Sequence, residues 1–277
     1  MNVPVAIIIP AHNEAHYIEA CLNALVAQDD TAGAMRVIVA ANACTDATVS
    51  LARAKANEFE KRDSRLEVLD LPNPGKTAAL NAAEKGLEPG LRIYLDADII
   101  CDPDLIGQIR SALSPTKALY ATGSQVVSTA RTFVTRAYAD LWQQLPFFKD
   151  GTTGAGLFAL NAEGRRRWQA FPAIISDDTF VRLNFAPSER IEVPARYHWP
   201  MIEGFSNLAK VRRRQDAGVA EIRSLYPELL ENDHTEWPSL RYLLALALRK
   251  PLSFAVYLAV HIAVRVRRPA SEWTRGR

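Results

Sequence analysis

The chain lacks the sequence features of several large protein classes. Its three cysteines, Cys21, Cys44 and Cys101, form no CxxC pair and no metal-ligand spacing, which is typical of free thiols in a reducing compartment. The sequence has no apolar run of about 20 residues, the length that a membrane-spanning helix needs. Residues 1–4 lead directly into an apolar run with no basic region before it, so we expect no signal peptide.

Two glycine-rich nucleotide motifs are also missing. Gly75-Lys76-Thr77 resembles the end of a P-loop, but position 70, where that motif needs glycine, is Asp70. No GxGxxG follows the first apolar run, and the glycine-rich residues 151–156 lie far downstream with the wrong spacing. The sequence therefore argues against a P-loop and against a Rossmann dinucleotide site.

Composition and charge point to a globular chain with a basic end. The 277 residues are 48% hydrophobic and 23% charged, which is ordinary for a globular protein of one large domain or slightly more. The net charge of +2 conceals an asymmetry, because eight basic residues and one acidic residue lie from Arg241 onward. The other 240 residues then carry 25 basic and 30 acidic groups. A basic tail on an acidic body indicates an anionic surface as a partner.

Apolar runs alternate with segments of helical spacing in the first half of the chain. We predict strands over residues 3–9, 35–40, 66–71 and 91–95, and helices over residues 14–28, 46–62 and 76–87. Near-continuous apolar strands in this order predict a parallel sheet that is covered on both faces.

Asp96 and Asp98 directly follow the fourth predicted strand. Ligands of open α/β sheets bind outside the carboxyl ends of the strands, and two neighbouring carboxylates there are costly to desolvate without a cation. Mg²⁺ is usually held by one or two carboxylates together with substrate phosphates. The pair therefore predicts a metal–diphosphate site. The alternative is a strand end followed by an acidic N-cap before a helix at Pro103.

Several segments, in order, resemble family 2 glycosyltransferases. The resemblance extends over about residues 3–215. Three motifs of the first part carry it: P-x-x-N-E within residues 5–14, N-x-C-T-D-x-T within 37–48, and G-K-x-x-A-L-N at 75–81. The later ones are the DxD at 96–98, the segment 154–160, and the acidic pair within 175–178. The resemblance implies a GT-A fold, a Rossmann-like, mostly parallel sheet flanked by helices, with a C-terminal helical tail. It divides the chain into a glycosyltransferase domain over 1–215, with a nucleotide-sugar half over 1–100 and an acceptor half over 101–215, and a basic helical tail over 216–277.

The resemblance also assigns donor-binding residues. It implies that the nucleotide sugar contacts Pro10, Asn13, Glu14, Asn42, Asp46, Lys76, Asp96 and Arg213, and that a divalent cation, Mn²⁺ or Mg²⁺, is held by Asp98 and Asp96, with His198 as a third ligand. Ala41 stands where family members often have aspartate, so the choice between UDP and GDP stays open. Several of these positions have a structural alternative: residues 42–46 also fit a turn and helix N-cap, Lys76 and Arg213 fit solvated helix faces, and His198 fits a structural histidine beside aromatic residues.

Asp178 is the residue that we expect to act as general base, with Asp177 orienting it. An inverting transfer needs a carboxylate within hydrogen-bond reach of the acceptor hydroxyl, ~2.6–3.2 Å between heavy atoms. The alternative is that both acids simply begin the helix over residues 179–185, because carboxylates favour a helix N-terminus.

The tail contains a 13-residue apolar run, residues 252–264, broken only by Ser253 and His261. The run is too short to span a bilayer, and the basic residues that follow it, Arg265, Arg267 and Arg268, favour a helix lying at the membrane surface. The alternative is a helix packed on the domain. We expect a cytoplasmic enzyme, peripheral on the inner face of the cell membrane.

The predicted function is the metal-dependent, inverting transfer of a single sugar, of hexosyltransferase type. The tryptophan of the processive QxxRW motif is missing after the arginines at 212–214, which argues against a polymerase. The expected acceptor is a sugar or a lipid-linked molecule in cell-surface polysaccharide or glycolipid synthesis, and no nucleic-acid partner is expected. Two alternatives are a haloacid-dehalogenase-type phosphohydrolase, which places its DxD near the N-terminus, and an inactive membrane-associated adaptor, which would not need Asp96, Asp98 and Asp178.

Overall fold

The computed structural model describes residues 5–149, 152–235 and 238–266. These residues group into two compact units. The first unit contains the chain up to residue 126 together with 154–173 and 184–199, and the second contains 127–153, 174–183 and the chain from 200 onward. The units interleave along the sequence, whereas the predicted division into 1–215 and 216–277 is linear and stays a prediction.

The first unit is built on a mixed eight-stranded sheet with the order β3-β2-β1-β4-β7-β6-β8-β5. Its strands are β1 (Val5–Ala11), β2 (Met35–Asn42), β3 (Arg65–Leu71), β4 (Arg92–Leu95), β5 (Ile100–Cys101), β6 (Tyr120–Val127), β7 (Leu157–Leu160) and β8 (Arg190–Trp199). The first four strands pair in parallel, whereas β7 pairs antiparallel with β4 and with β6, and β5 pairs antiparallel with β8. The predicted parallel sheet is confirmed for the first half of the chain.

The apolar runs explain why the parallel strands lie at the centre. Ile7 of β1 pairs with Val37 of β2 and with Ile93 of β4, and all three side chains are completely buried. Since both faces of these strands are covered, alternating polar residues would be desolvated without partners. The parallel register brings the carboxyl ends of β1, β2 and β4 to one edge, where ligands of such sheets bind.

Twelve helices lie in the described part of the chain: α1 (Ile18–Val26), α2 (Thr48–Ala54), α3 (Ala56–Glu60), α4 (Lys76–Glu84), α5 (Leu105–Ala112), α6 (Phe133–Trp142), α7 (Pro146–Lys149), α8 (Ala162–Arg165), α9 (Asp177–Leu183), α10 (Phe205–Leu225), α11 (Leu240–Arg249) and α12 (Pro251–Val266). The prediction of one helix over 46–62 is wrong, because α2 ends at Ala54 and α3 begins at Ala56. The junction residue Lys55 caps both helices and pairs with Glu58.

The second unit packs its C-terminal helix α12 against α6. The rings of Tyr138 and Tyr257 stack with centroids 5.3 Å apart. Asp140 accepts a hydrogen bond from the Ser253 hydroxyl at 2.9 Å and pairs with Lys250. Val260 is fully buried, so the expectation of a packed tail helix holds for the inner face of α12. Within the described residues, no helix combines the length and the apolar character needed to cross a membrane.

Candidate functional site

The loops after β1 and β2 lie at the sheet edge that the resemblance assigns to a nucleotide. Each loop contains a non-glycine residue with positive φ, 54° at Asn13 and 47° at Ala43. The left-handed conformation costs an ordinary L-residue about 1–2 kcal/mol, and it persists where surrounding contacts hold it in place. Hydrogen bonds between the two loops supply those contacts.

Asn13 joins the first loop to the second. Its side-chain oxygen accepts a hydrogen bond from the Thr45 backbone N–H at 2.6 Å. The next residue, Glu14, donates its backbone N–H to the Thr48 hydroxyl at 2.7 Å. Pro10 lies one residue before the end of β1 and pairs with Ala40, so the three residues predicted from P-x-x-N-E are together at this edge.

Asn42 is buried, with 4% of its surface exposed, and it connects three segments. Its Nδ2 donates to the Ala11 carbonyl at 2.8 Å, and its Oδ1 accepts from the Gly75 N–H at 3.1 Å. Its own carbonyl oxygen lies 2.5 Å from Nδ1 of His12. The Asn42 side chain therefore fixes the end of β1 and the start of α4 relative to β2.

Asp46 lies two residues before the start of α2, and it also holds the first loop. Its Oδ1 accepts from the Thr48 N–H at 3.0 Å, and its Oδ2 accepts from the Ala15 N–H at 3.1 Å. The predicted turn over residues 42–46 is thus present, but the N-cap position of α2 is Ala47, one residue later than predicted, and Asp46 contacts the first N–H of the helix. Because Asp46 and Asn42 both organise the loops, their contact with a nucleotide base or ribose stays a prediction.

The two acids of the DxD lie at the carboxyl end of β4, as predicted. Asp98 is 9% exposed, whereas the Asp96 side chain is 37% exposed and its Oδ1 lies 3.0 Å from Nζ of Lys76. Lys76 is the first residue of α4, so its ammonium group reaches the sheet edge and neutralises part of the acidic charge there. The structure brings Lys76 into contact with Asp96, and Asp98 lies buried two residues further along the chain.

Gly156 gives the DxD its position beside β7. Its carbonyl accepts a hydrogen bond from the Asp96 N–H at 2.8 Å. Its φ is 80°, and a methyl group there would lie 2.8 Å from Ile99 Cδ1 and 3.1 Å from Trp199 Cδ1. Only glycine combines this conformation with such a close approach, so the start of the 154–160 segment is part of the DxD environment.

His198 lies on β8, in register with Ile100 of β5. Its Nε2 is 2.9 Å from Oδ1 of Asp102, and both side chains are partly exposed. The described residues contain no group of three or more His, Cys, Asp or Glu side chains that could hold a metal ion. The structure therefore pairs His198 with Asp102 and does not bring it together with Asp96 and Asp98, so its role as a third ligand stays a prediction.

The acidic pair Asp177 and Asp178 belongs to the second unit and begins α9. Asp177 is buried, with 3% of its surface exposed, whereas Asp178 is partly exposed. Oδ1 of Asp178 accepts from the Thr179 N–H at 2.7 Å. The helix start that was the alternative interpretation of this pair is present, with α9 beginning at Asp177, and the role of Asp178 as general base stays a prediction.

The approach of α10 fixes the chain just before this pair. A methyl group added at Gly218 would lie 2.1 Å from Ser176 Oγ, and Glu221 Oε2 accepts from the Ile175 N–H at 2.8 Å. On the same helix, Arg213 donates from Nη2 to the Ala263 carbonyl of α12 at 3.0 Å. The structure gives Arg213 a contact with the tail helix, and its predicted contact with a diphosphate stays a prediction.

Residues 6–167 match the family model described as glycosyl transferase family 2. The chain belongs to this family. The match contains the P-x-x-N-E loop, the Asn42–Asp46 turn, the start of α4 and the DxD, which are the segments that meet at the sheet edge. Family membership decides against the haloacid-dehalogenase alternative.

A curated relative supports the family at the sequence level. Glycosyltransferase AglE from Haloferax volcanii is 33% identical over 100 residues, which are 36% of this chain and 31% of the relative. The chain thus matches about a third of the length of that relative, and the similarity is confined to that segment.

Solved structures of the same fold cover most of the chain. The mannosyltransferase PcManGT from Pyrobaculum calidifontis, in complex with GDP-Man and Mn²⁺, has a TM-score of 0.61 at 21% identity and covers 95% of this chain and 86% of its own. TarS 1-349 from S. aureus, in complex with UDP-GlcNAc, has a TM-score of 0.55 at 15% identity over 95% of this chain and 92% of its own. Glucosyl-3-phosphoglycerate synthase from Mycobacterium tuberculosis, in complex with Mn²⁺, UDP and glucosyl-3-phosphoglycerate, has a TM-score of 0.53 at 19% identity over 80% of this chain and 79% of its own. These likenesses confirm the predicted GT-A fold.

The donor set at the DxD fits a divalent cation completed by a diphosphate. Asp96 and Asp98 supply only carboxylate oxygens, the ligands that Mg²⁺ and Mn²⁺ prefer. Two protein carboxylates are too few for a closed metal cage, and this number is typical of sites in which substrate phosphates provide further ligands.

Sequence reasoning did not find several residues that shape this site. Two of them are His12, which contacts Asn42, and Thr48, which contacts Glu14 and Asp46. The others are Asp102, which contacts His198, and Gly156, whose carbonyl accepts from the Asp96 N–H. Thr48 lies within the N-x-C-T-D-x-T motif and could have been named as a capping partner of Asp46. The His198–Asp102 contact joins residues far apart in the chain, and no local pattern announces it.

Proposed function

We propose that this chain transfers a single hexose from a nucleotide-diphosphate sugar to an acceptor hydroxyl, with inversion at the anomeric carbon and with a divalent cation. The observation that carries the proposal is the joint position of Asp96, Asp98 and Lys76 at the carboxyl end of β4. Family membership and the hexosyl donors named for the relatives of the same fold, GDP-Man and UDP-GlcNAc, support it.

The donor end of the reaction follows from charge. When the bond between the anomeric carbon and the diphosphate breaks, negative charge grows on the leaving diphosphate. Asp96 and Asp98 would hold Mn²⁺ or Mg²⁺, which supplies Lewis-acid stabilisation of that charge when it is bound. Lys76 adds a further positive charge, since its ammonium group is held at this edge by Asp96.

The acceptor end of the reaction needs a base. Asp178 would accept the proton of the acceptor hydroxyl as the new bond to the anomeric carbon forms. Asp177, which is buried directly before it, would hold the start of α9 so that Asp178 keeps one orientation. Arg213 is the residue of the second unit that the resemblance places at the diphosphate, and this role remains part of the proposal.

The donor proposal is tested by calorimetry of UDP and GDP with Mn²⁺ and with EDTA. We expect at least one nucleotide to bind at least tenfold more weakly in EDTA, a difference of about 1.4 kcal/mol. The variant Asp98→Asn should lose the same Mn²⁺-dependent part, whereas the control Asp104→Asn, at the start of α5, should behave as wild type. Equal and tight binding with and without the metal would refute the proposal.

We also propose that the tail holds the enzyme on an anionic membrane surface without crossing it. The outer faces of α11 and α12 expose large aliphatic side chains: Leu240, Leu244, Leu248, Leu252, Leu258, Ile262 and Val266, with exposed fractions of 73, 56, 85, 68, 45, 52 and 76%. So many exposed large aliphatic side chains on two successive helices are unusual on a monomer, where contiguous apolar patches are small. Arg241, Arg249 and Arg265 are exposed on the same helices, and each basic group near anionic lipids contributes ~1 kcal/mol. Arg267 and Arg268 lie outside the described residues.

The location is tested by co-sedimentation of the full chain with anionic and with neutral vesicles. The double variant Leu248→Glu/Leu252→Glu should stay in the supernatant, because it places two charges on the apolar face without touching the buried side of α12. The matched control is Leu225→Glu, at the end of α10, where the native side chain is 57% exposed. High salt should weaken binding of the wild type only in part, since the aliphatic contribution does not depend on ionic strength. Equal recovery of both variants and the wild type in the supernatant would refute the proposal.

A further inference from the structure

A second arginine-rich site lies in the first unit, at the opposite end of β4 from the DxD. A cavity of about 300 Å³ is lined there by Arg92, Arg165, Arg166 and Trp168, together with Leu87, Pro89, Gly90 and Ala162. Arg92 is the first residue of β4, whereas Asp96 follows its last residue. Asp96 lies four residue steps beyond Arg92, about 13 Å at 3.3 Å per residue, so the cavity is distinct from the donor edge.

Two buried guanidinium groups share one carboxylate beside this cavity. Nε of Arg165 donates to both oxygens of Glu84, at 2.8 and 3.0 Å, while Nε of Arg92 lies 3.7 Å from Oε1 of the same residue. The side chains of Arg92, Arg165 and Glu84 are 9, 15 and 11% exposed. Because the two arginines share the single negative charge of Glu84, one positive charge has no counterion of its own.

The remaining acidic groups around the cavity do not neutralise this charge. Tyr94 donates its hydroxyl to Glu84 and so occupies part of the carboxylate that the two arginines share. Arg166, whose side chain is 60% exposed, pairs with Glu163, three residues before it. That pair contributes no net charge, and it places a third guanidinium group on the cavity wall.

Arg92 is the least compensated of the three arginines. Its Nη2 donates to the Glu88 and Leu87 carbonyls at 2.8 and 3.4 Å, but its Nε is buried with no hydrogen-bond partner among the described residues. Burial lowers the pKa of Arg92, and the positive charges of Arg165 and Arg36 lower it further. Tyr94 and Glu84 raise the pKa of Arg92, but their effect is smaller. A buried cation with incomplete partners is stabilised by any anion that reaches it.

We propose that this cavity is a binding site for a small phosphate-type oxyanion, either free phosphate or the phosphate group of a small ester. Guanidinium groups present planar, fixed donors that match phosphate oxygens, and Arg92 and Arg166 bring such groups to the cavity wall. Arg165, which donates to Glu84 and to the Trp168 and Gln169 carbonyls, adds mainly its positive charge. Trp168, whose ring lies 5.0 Å from the Arg165 guanidinium carbon, closes the wall with an apolar surface suited to the carbon part of an ester. The inference does not depend on the proposed transfer reaction.

The test is calorimetric titration of the full chain in EDTA with inorganic phosphate and, in parallel, with glycerol phosphate. We expect one saturable site, weakened at least threefold in Arg166→Gln and at least tenfold in Arg92→Gln, and unchanged in the control Arg53→Gln, an exposed arginine on α2. Thermal unfolding shows whether each variant is folded. If Arg92→Gln does not fold, the affinity of Arg166→Gln for the two probes tests the proposal. Tighter binding of glycerol phosphate would assign the cavity to an ester, and equal binding would assign it to free phosphate.

Two results would overturn the proposal. The first is the absence of saturable binding of either probe, or binding that Arg166→Gln and Arg92→Gln leave at wild-type strength. The second is displacement of bound phosphate by UDP or GDP, because that would place the anion at the donor edge.

Discussion

The substitution Asn42→Ala should destabilise the first unit strongly, although it removes only one small side chain. The amide donates to the Ala11 carbonyl at 2.8 Å and accepts from the Gly75 N–H at 3.1 Å, at a position that is 4% exposed. A buried polar group that loses its partner costs roughly 1–3 kcal/mol, and two such groups give about 2–6 kcal/mol. Gly75 is only partly buried, so water reaches its N–H and the expectation falls to about 2–4 kcal/mol.

The assay is urea and thermal unfolding of wild type, Asn42→Ala and the control Asn73→Ala. Asn73 is exposed in the loop before α4, and its substitution should change stability by less than about 0.5 kcal/mol. For a unit of this size, Asn42→Ala should lower the melting temperature by roughly 5–12 °C. Asn42→Asp should be at least as damaging at neutral pH, because it places a carboxylate against the Ala11 carbonyl oxygen. A loss below about 1 kcal/mol for Asn42→Ala would refute the reasoning that this amide joins three segments.

Two further predictions concern the second unit. Asp178→Asn should lower the transfer rate by more than tenfold, a loss above ~1.4 kcal/mol of transition-state stabilisation. Nucleotide affinity measured by calorimetry should stay close to wild type, because a base acts in the reaction and not in donor binding. A variant that keeps more than about a tenth of the rate would show that another group is the base. Burial raises the pKa of Glu203, but hydrogen bonds from the Thr132 hydroxyl and from the backbone N–H groups of Arg131 and Thr132 outweigh it and lower the pKa to about 2. Its folded pKa lies below the unfolded value of about 4.3, so Glu203 stabilises the fold above that value and loses this effect as pH falls toward 2. Melting temperatures between pH 5 and 3 should therefore fall less steeply in Glu203→Gln than in wild type or in the control Glu231→Gln, and equal slopes in all three would contradict the prediction.

The sequence predicted the parallel half of the sheet because that half depends on local patterns. The apolar runs of β1, β2 and β4 exceed what a half-exposed strand would carry, whereas β3, at the edge of the sheet, alternates apolar and polar residues. Each strand is followed by polar or turn-forming residues. The antiparallel half was harder to predict. β5 has only two residues, and β6 carries Gly123, Ser124 and Gln125 at its centre, so neither produces a clear period of two.

The sequence predicted the parts of the candidate site that lie in short motifs. It did not predict contacts between residues that are far apart in the chain. Asp96, Asp98 and Lys76 belong to two motifs that the parallel register brings together, since α4 begins at the edge where β4 ends. The partner of His198 is 96 residues away in sequence, and the carbonyl that accepts from Arg213 is 50 residues away. A run of arginines on a helix gives the same sequence pattern whether the helix faces phosphate, solvent or another helix. Only tertiary packing distinguishes these environments.

The hydrogen bonds of the site determine how its variants must be interpreted. The resemblance assigns Asn13, Asn42 and Asp46 to the nucleotide, yet each of them also holds loop backbone through its side chain. A loss of transfer activity in Asp46→Ala would therefore follow from a displaced loop as readily as from a lost contact with the donor. The two causes separate when nucleotide affinity is measured at a temperature where wild type and variant are equally folded. Under that condition a lost donor contact lowers affinity, whereas a displaced loop also lowers the melting temperature, because the Ala15 and Thr48 N–H groups lose their acceptor.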